Sequence, residues 1–254
     1  MINLKFTSFL LLLSIYIFND STAQTQVDTL STNQSLPFKI QSLIIPVSLI
    51  SYGVIGNDNG ALKFVNDHIK EEVGEHIDDK FTIDDISQHL PYLSVYALNA
   101  LGIKGKHNFR DRTVILATSY LFMASMVNTL KYTTKIERPD GSSRNSFPSG
   151  HTATAFMGAE FLWQEYKEVS PWYGLTGYAI AAGTGAFRMA NNRHWLTDVA
   201  AGAGIGMLST KAAYWIHPWL SRKLFGTKNR NRKTSAILPY YNGHQVGFAV
   251  SLKL

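Results

Sequence analysis

The stretch TVILATSYLFMASMVNTLK, Thr113 to Lys131, is apolar over almost its whole length, contains no Gly or Pro, and ends on a single lysine. Such a run reads as a long buried or membrane-facing helix. Outward from it, five further segments are apolar at helical length: Ile40 to Ile55, Pro91 to Ile103, Thr152 to Val169, Trp172 to Met189 and Trp195 to Ile216. The pattern predicts an all-α fold, an antiparallel helical bundle of about six helices. Between the first two segments, Ala61 to Val73 and Thr82 to Leu90 carry mixed charges at helical spacing, which predicts a solvated amphipathic region. Gly202, Gly204 and Gly206 suit close helix contact. They also spell GxGxG, but no strand precedes them, so no dinucleotide site is expected. Near the end, Asn242-Gly243 lies between β-prone runs and predicts a small C-terminal β-hairpin.

A chain of 254 residues can bury a sizeable core as one domain. Hydrophobic residues are 45% and charged residues 17% of the chain. That is more apolar than an average soluble domain. The net charge of +6 favours anionic partners such as phosphate groups or lipid headgroups. The basic residues are scattered and follow no nucleic-acid-binding motif, so no nucleic acid is expected. With no cysteine, disulfides and thiolate chemistry are excluded. Residues 1–23 combine Lys5, the apolar core Phe6 to Phe18 and the small residues Ser21 and Ala23. They read as a signal peptide cleaved before Gln24, which predicts export to a bacterial cell envelope. The expected organisation is a signal peptide at 1–23, a helical domain at 24–228 with its core at 113–216, and a tail at 229–254 carrying the hairpin.

A membrane-spanning helix needs roughly 20 apolar residues. Thr113 to Leu130 and Leu196 to Ile216 come near that length, and Pro91 to Ile103 falls short. The basic patches Lys104 to Arg112 and Arg222 to Lys233 favour the cytoplasmic side of an embedded bundle, which puts Lys131 outside. A cleaved signal peptide starts the chain outside and requires an odd number of spans before Thr113. Two apolar segments lie there, so either one fails to cross or the whole body is periplasmic and membrane-associated.

Side chains suited to phosphate chemistry fall at the predicted helix ends. Lys131 closes one helix, and Arg138-Pro139 follows in KYTTKIERP. Ser149, Gly150 and His151 open the next helix, within NSFPSGHTATAF. Arg188 lies near the end of the one after, and His194 and Asp198, in RMANNRHWLTD, open the last. Antiparallel neighbours bring the end of one helix beside the start of the next, so these residues should share one face of the bundle. Helix N-termini favour an anion there. Arginines grip a phosphoryl group bidentately and a lysine adds a point charge. Gly150 allows close approach of the backbone. His194 and Asp198, four apart, share a helix face. A carboxylate on one ring nitrogen leaves the other able to attack phosphorus, and His151 is placed to protonate a leaving oxygen.

Lys131-x6-Arg138-Pro139, Pro148-Ser149-Gly150-His151 and Arg188-x5-His194-x3-Asp198 together resemble the three-part signature of the type 2 phosphatidic acid phosphatase superfamily. That superfamily also holds bacterial non-specific acid phosphatases, glucose-6-phosphatase and vanadium haloperoxidases. The resemblance covers about Thr113 to Ile216, and TIDDISQHLPY (Thr82 to Tyr92) is loosely similar to exported envelope members. It implies that His194 is the nucleophile, Asp198 its orienting partner and His151 the general acid. It further implies that Lys131, Arg138, Ser149, Gly150 and Arg188 bind the phosphate, with no metal or other cofactor. One departure is Phe187, where the family usually has Ser or another small residue.

The function expected is hydrolysis of a phosphate or diphosphate ester through a phosphohistidine, on a phosphorylated lipid. Undecaprenyl diphosphate, phosphatidic acid, phosphatidylglycerol phosphate and lipid A are candidates, with the active site facing the periplasm. The alternatives are a periplasmic acid phosphatase acting on small phosphomonoesters, a vanadium haloperoxidase and a non-enzymatic envelope scaffold. The polar second half of the Thr152 helix, with Glu160, Gln164, Glu165 and Lys167, favours the first alternative. His68, His76, His89, His107, His217 and His244 fit no motif and read as surface or structural. Trp172, Trp195, Trp215 and Trp219 read as core or membrane-interface aromatics.

Overall fold

The computed structural model describes residues 40–73, 83–226, 236–241 and 246–251. The expected signal peptide and the turn at Asn242-Gly243 lie outside these residues. The fold is all-α in its main body, with eight α-helices among the described residues. A 3-10 turn, Ile40–Leu43, leads into α1 (Ile44–Asp58), followed by α2 (Gly60–Val73), α3 (Ile83–Ser87) and α4 (Leu90–Ala100). The long helices are α5 (Phe109–Thr134), α6 (Gly150–Tyr166), α7 (Pro171–Ala190) and α8 (Leu196–Phe225). The six apolar segments each form a helix, and the mixed-charge stretches add α2 and the short α3. Two strands, β1 (Ala236–Tyr241) and β2 (Val246–Ser251), pair antiparallel with Ala236 opposite Ser251.

Helix boundaries extend past the apolar runs where capping chemistry allows. α5 starts before Thr113 because the Asn108 side chain accepts a hydrogen bond from the Asp111 backbone N–H at 2.9 Å. α8 continues through Pro218 and stops at Gly226, whose φ of 68° is a left-handed conformation that glycine adopts without strain.

α8 is the central element and packs against α1, α5 and α6. Its glycines make this possible. A Cβ at Gly202 would come within 2.5 Å of the Ser149 carbonyl oxygen, and one at Gly206 would collide with that of Ala153, both on the α6 side. A Cβ at Gly204 would come within 2.5 Å of the Pro46 carbonyl oxygen on α1. Backbone therefore approaches backbone on two faces of one helix.

The first charged stretches are not simply solvated, contrary to the sequence reading. Asp84 on α3 is fully buried, and Asn66 on α2 is buried with its amide donating to Thr197 Oγ1 at 3.0 Å. The polar half of α6 is likewise turned inward. Glu160 accepts from Lys211 at 2.6 Å and from Tyr178 at 2.5 Å. Glu165 bonds the His107 ring at 2.7 Å and the Tyr214 hydroxyl at 2.6 Å, with Arg112 at 3.8 Å. Carboxylates at helical spacing read as a wet face, but here cations and hydroxyls from other helices satisfy them inside the protein. His107 and His217 belong to this cluster, which lies at the far end of the bundle from α8's first turn.

Among the described residues, two segments are long and apolar enough to cross a membrane, Ile40–Asn57 and Phe109–Thr134. The second agrees with the sequence expectation. The first replaces α8, whose Ala- and Gly-rich surface is buried at the centre of the bundle instead. Both segments keep large apolar side chains on the outside, among them Ile44, Ile45 and Ile55 on α1 and Tyr120, Leu121 and Tyr132 on α5. Gly53 and Gly56 of α1 lie against Ala201 and Thr197 in the first turns of α8, and Pro46 lies further along it at Gly204. α1 is thus antiparallel to α8, and α1 and α5 both run toward the end where α8 begins.

Candidate active site

That end of the bundle gathers the C-terminus of α5, the loop after it, the N-terminus of α6, the C-terminus of α7 and the N-terminus of α8. Each contributes a predicted residue. Lys131, in the last turn of α5, donates from Nζ to the Asn145 carbonyl at 2.5 Å and contacts that of Ser146 at 3.4 Å. Arg138, in the loop, donates from Nε to Asn145 Oδ1 at 3.0 Å. Asn145 therefore ties the two cations into one unit.

Ser149 is the N-cap of α6, its Oγ accepting from the Thr152 backbone N–H at 3.4 Å, and its own N–H donates to the Asp198 carbonyl at 3.0 Å. The second bond fastens the start of α6 to the start of α8. A Cβ at Gly150 would find only Val127 Cγ1, at 3.9 Å. Packing within the protein does not require glycine there, and its value lies in leaving the first-turn N–H groups of α6 uncovered.

His194 is 3% exposed, and its Nδ1 lies 3.4 Å from Asp198 Oδ2. The same carboxylate oxygen accepts from the Trp195 N–H at 2.9 Å and from the Ser146 hydroxyl in a short hydrogen bond. Ser146 Oγ is also 3.5 Å from His194 Nδ1. The imidazole is thus held on its Nδ1 side, and Nε2 is the nitrogen available for chemistry. Burial pushes the His194 pKa down to about 4, against the raising effect of Asp198 and with help from the charges of Arg188 and Lys131. The ring is neutral, as a nucleophile must be.

Arg188 is buried, donating from Nη1 to Asp84 Oδ2 at 2.7 Å. Its Nε has no hydrogen-bond partner among the described residues, nor has Asp198 Oδ1. His151 Nε2 lies 2.8 Å from Asp85 Oδ1. Burial and then Arg188 lower the His151 pKa, while the Asp85 hydrogen bond and both α3 carboxylates oppose them. Burial, and then the charge of Arg188, lower the Arg138 pKa. Phe187 is partly exposed, whereas Arg188 beside it in the chain is buried.

All eight residues singled out from the sequence stand at this one end. Four others were not foreseen. Ser146 and Asn145 carry no signal beyond lying between two motifs. Asp84 and Asp85 stand in TIDDISQHLPY, where their pairing with Arg188 and His151 depends on a fold that brings α3 onto α6 and α7. With His151, these two aspartates place ligand-type atoms within 4.8 Å of one another, a spacing that could hold a metal ion. In this structure Asp84 is ion-paired with Arg188, and Asp85 is hydrogen-bonded to His151.

The fold and this end of it define an all-α bundle in which a buried His–Asp pair stands among three cations and the amide-rich start of a helix. Residues 112–222 match the family model of the PAP2 superfamily. It is 41% identical over 141 residues to the lipid A 1-phosphatase of Porphyromonas gingivalis. That match takes in 55% of this chain and 32% of the relative, so this chain answers to about a third of that protein's length. Among solved structures it is similar to Aquifex aeolicus LpxE, at 21% identity and a TM-score of 0.43, covering 59% of this chain and 94% of that one. It is also similar to a transmembrane PAP2-type phosphatidylglycerolphosphate phosphatase from Bacillus subtilis, at 19% identity and a TM-score of 0.39, covering 71% and 97%.

Proposed function

We propose that this protein hydrolyses phosphate esters of lipids through a phosphohistidine. The observation that carries this reading is the buried His194, gripped on Nδ1 by Asp198, with the charges of Arg188 and Lys131 acting on its ring and Arg138 in the loop beside Lys131. The cations and the N–H groups at the start of α6, set by Ser149 and Gly150, would bind the phosphate oxygens. His194 Nε2 attacks phosphorus, and the bond from phosphorus to the leaving oxygen breaks as His151 gives that oxygen its proton. Asp198 stabilises the imidazolium formed in this step. His151, now neutral, takes a proton from water. The hydroxide attacks phosphorus, the P–N bond breaks, and phosphate leaves. The negative charge of a bound phosphate raises the pKa of His151, so the acid is protonated when the substrate arrives. The fixed cations supply the positive charge this chemistry needs, and the reading calls for no metal.

The lipid substrate class is supported by the exposed apolar faces of α1 and α5 beside the site and by the relative from P. gingivalis. The soluble-phosphatase alternative loses one of its arguments, since Glu160 and Glu165 are buried, Glu160 paired with Lys211 and Glu165 hydrogen-bonded to Tyr214 and His107. A phosphate-release panel of lipid micelles and small phosphomonoesters, with His194→Ala as control, tests the reading. Activity on nucleotides without detergent, and none on lipid, would replace it with the acid-phosphatase reading. Equal release by His194→Ala and wild type would leave the envelope scaffold.

The site end is proposed to face the periplasm. Lys104, Lys106, Arg110, Arg222 and Lys223 collect at the opposite end with the exposed Trp172 and Trp219, a distribution that suits the cytoplasmic interface. Because α1 runs toward the site end, a spanning α1 starts on the cytoplasmic side, whereas a chain exported by removal of 1–23 starts outside. These are two arrangements, and the absence of native cysteine lets one experiment separate them. An impermeant maleimide should label Lys135→Cys in either case. It labels Gln41→Cys only if the bundle lies wholly outside.

A further inference from the structure

A second cavity of about 390 Å³ opens beside the site, lined by Asn128, Lys131, Tyr132, Lys135, Arg144 and Asn145. Its charged lining is entirely cationic, and it shares Lys131 and Asn145 with the phosphate constellation. Lys131 stands on the boundary. Its Nζ is bonded to the carbonyls of Asn145 and Ser146, and Ser146 in turn bonds Asp198. Lys135 makes no ion pair among the described residues. Arg144 has a partner in Glu137 at 3.4 Å, but those side chains are 76% and 57% exposed. A pair so solvated holds its members weakly and yields to a stronger anion. The cavity also sits where the exposed apolar face of α5 ends, at Tyr132, which is 80% exposed. An occupant is thus offered positive charge on one side and an apolar wall on the other.

On the phosphatase reading above, three cations already suffice for the phosphoryl group attacked by His194. Lys135 and Arg144 lie beyond it and serve something else. We infer that this cavity binds a second phosphate group of the same lipid substrate, so that the enzyme prefers lipids carrying two phosphates over lipids carrying one. The second group could be the inner phosphate of a diphosphate or a phosphodiester further along the headgroup. Both offer the same anionic oxygens to the same two side chains.

The test uses the full-length protein in detergent with three micellar lipids: phosphatidic acid, diacylglycerol diphosphate and phosphatidylglycerol phosphate. The variant is Lys135→Asn with Arg144→Gln. Asparagine tolerates the left-handed backbone at residue 135, where φ is 49°. Expected is a loss of about tenfold in kcat/KM, carried by KM, on one or both of the two-phosphate lipids, with less than a twofold change on phosphatidic acid. Which of the two responds tells whether the second phosphate is adjacent or separated. An equal loss on all three lipids, or no loss on any, overturns the inference. The same three lipids are also titrated against His194→Ala with and without the double substitution, reading binding alone. If the wild type releases no phosphate the phosphatase reading falls, and this titration still decides whether the cavity recognises a second phosphate.

Discussion

Arg188 Nη1 donates to Asp84 Oδ2 at 2.7 Å across 104 residues of sequence, joining the end of α7 to the short helix α3. Asp84 is fully buried and Arg188 nearly so. The pair fixes a guanidinium that would otherwise be a mobile cation, and it does so from outside the three motifs.

Removing the carboxylate should therefore damage both stability and turnover. Asp84→Ala leaves a buried guanidinium without its partner, at a cost of about 3 kcal/mol. Phosphate release should fall at least tenfold as Arg188 loses its orientation. Denaturant unfolding and kinetics on Asp84→Ala, Arg188→Ala and the double variant would show this as strong non-additivity. Additive losses would mean that the two side chains act independently.

Ser146 bonds the carboxylate oxygen that also faces His194. Ser146→Ala removes one hydrogen bond to an ionised acceptor, a contribution of about 1.5 kcal/mol, or roughly tenfold in kcat. Asp198→Asn should cost far more, because it removes the charge that stabilises the imidazolium. A Ser146→Ala enzyme with unchanged kcat would assign the serine to folding alone.

The depressed pKa of His194, about 4, sets two pH effects. In the folded protein the ring stays neutral down to that pH, while in the unfolded chain it takes up a proton near 6.5. Between those values the unfolded state binds more protons, so stability falls as pH drops from about 6.5 to about 4 and is unaffected by this group above 6.5. The slope is at most about 1.4 kcal/mol per pH unit, and His194→Gln should flatten it. Activity should persist into mildly acidic solution, with the acid limb of kcat/KM near pH 4. An acid limb near 6.5 would mean that His194 titrates as an exposed histidine does.

Gly202 supports the loop that carries Ser149. Gly202→Ala would push a methyl group to within 2.5 Å of the Ser149 carbonyl, and overpacking of this kind costs about 1–3 kcal/mol. Because the displaced backbone holds Ser149 and Gly150, kcat/KM should fall with stability. Gly183 on α7 is the control, since nothing lies within 4 Å of a Cβ there. Gly183→Ala should leave activity unchanged and raise stability slightly through helix propensity. Thermal unfolding and phosphate release on both variants check the pair.

How much was legible depends on the range over which each signal acts. The six apolar helices follow from local hydrophobic runs, and the eight candidate residues from the spacing of three motifs about helix ends. Antiparallel packing then brought them to one end, as the chain order requires. The glycines of α8 also announced close helix contact, though not which neighbours they face. The charged stretches misled because periodicity cannot tell a carboxylate facing water from one facing a cation on a distant helix. Asp84, Asp85, Glu160 and Glu165 all fell on the wrong side of that ambiguity.

By itself, then, the sequence determined the helical class and the candidate residues that gather at one end of the bundle, because those rest on residue type and local spacing. Only the tertiary structure decided that α8 is a core helix and α1 an outer one, that Asp84 and Asp85 of α3 meet Arg188 and His151, and that Lys131 borders a basic cavity. Those are contacts between segments far apart in the chain. They depend on which faces of the helices meet, and the strength of a buried ion pair depends on burial that no single segment encodes.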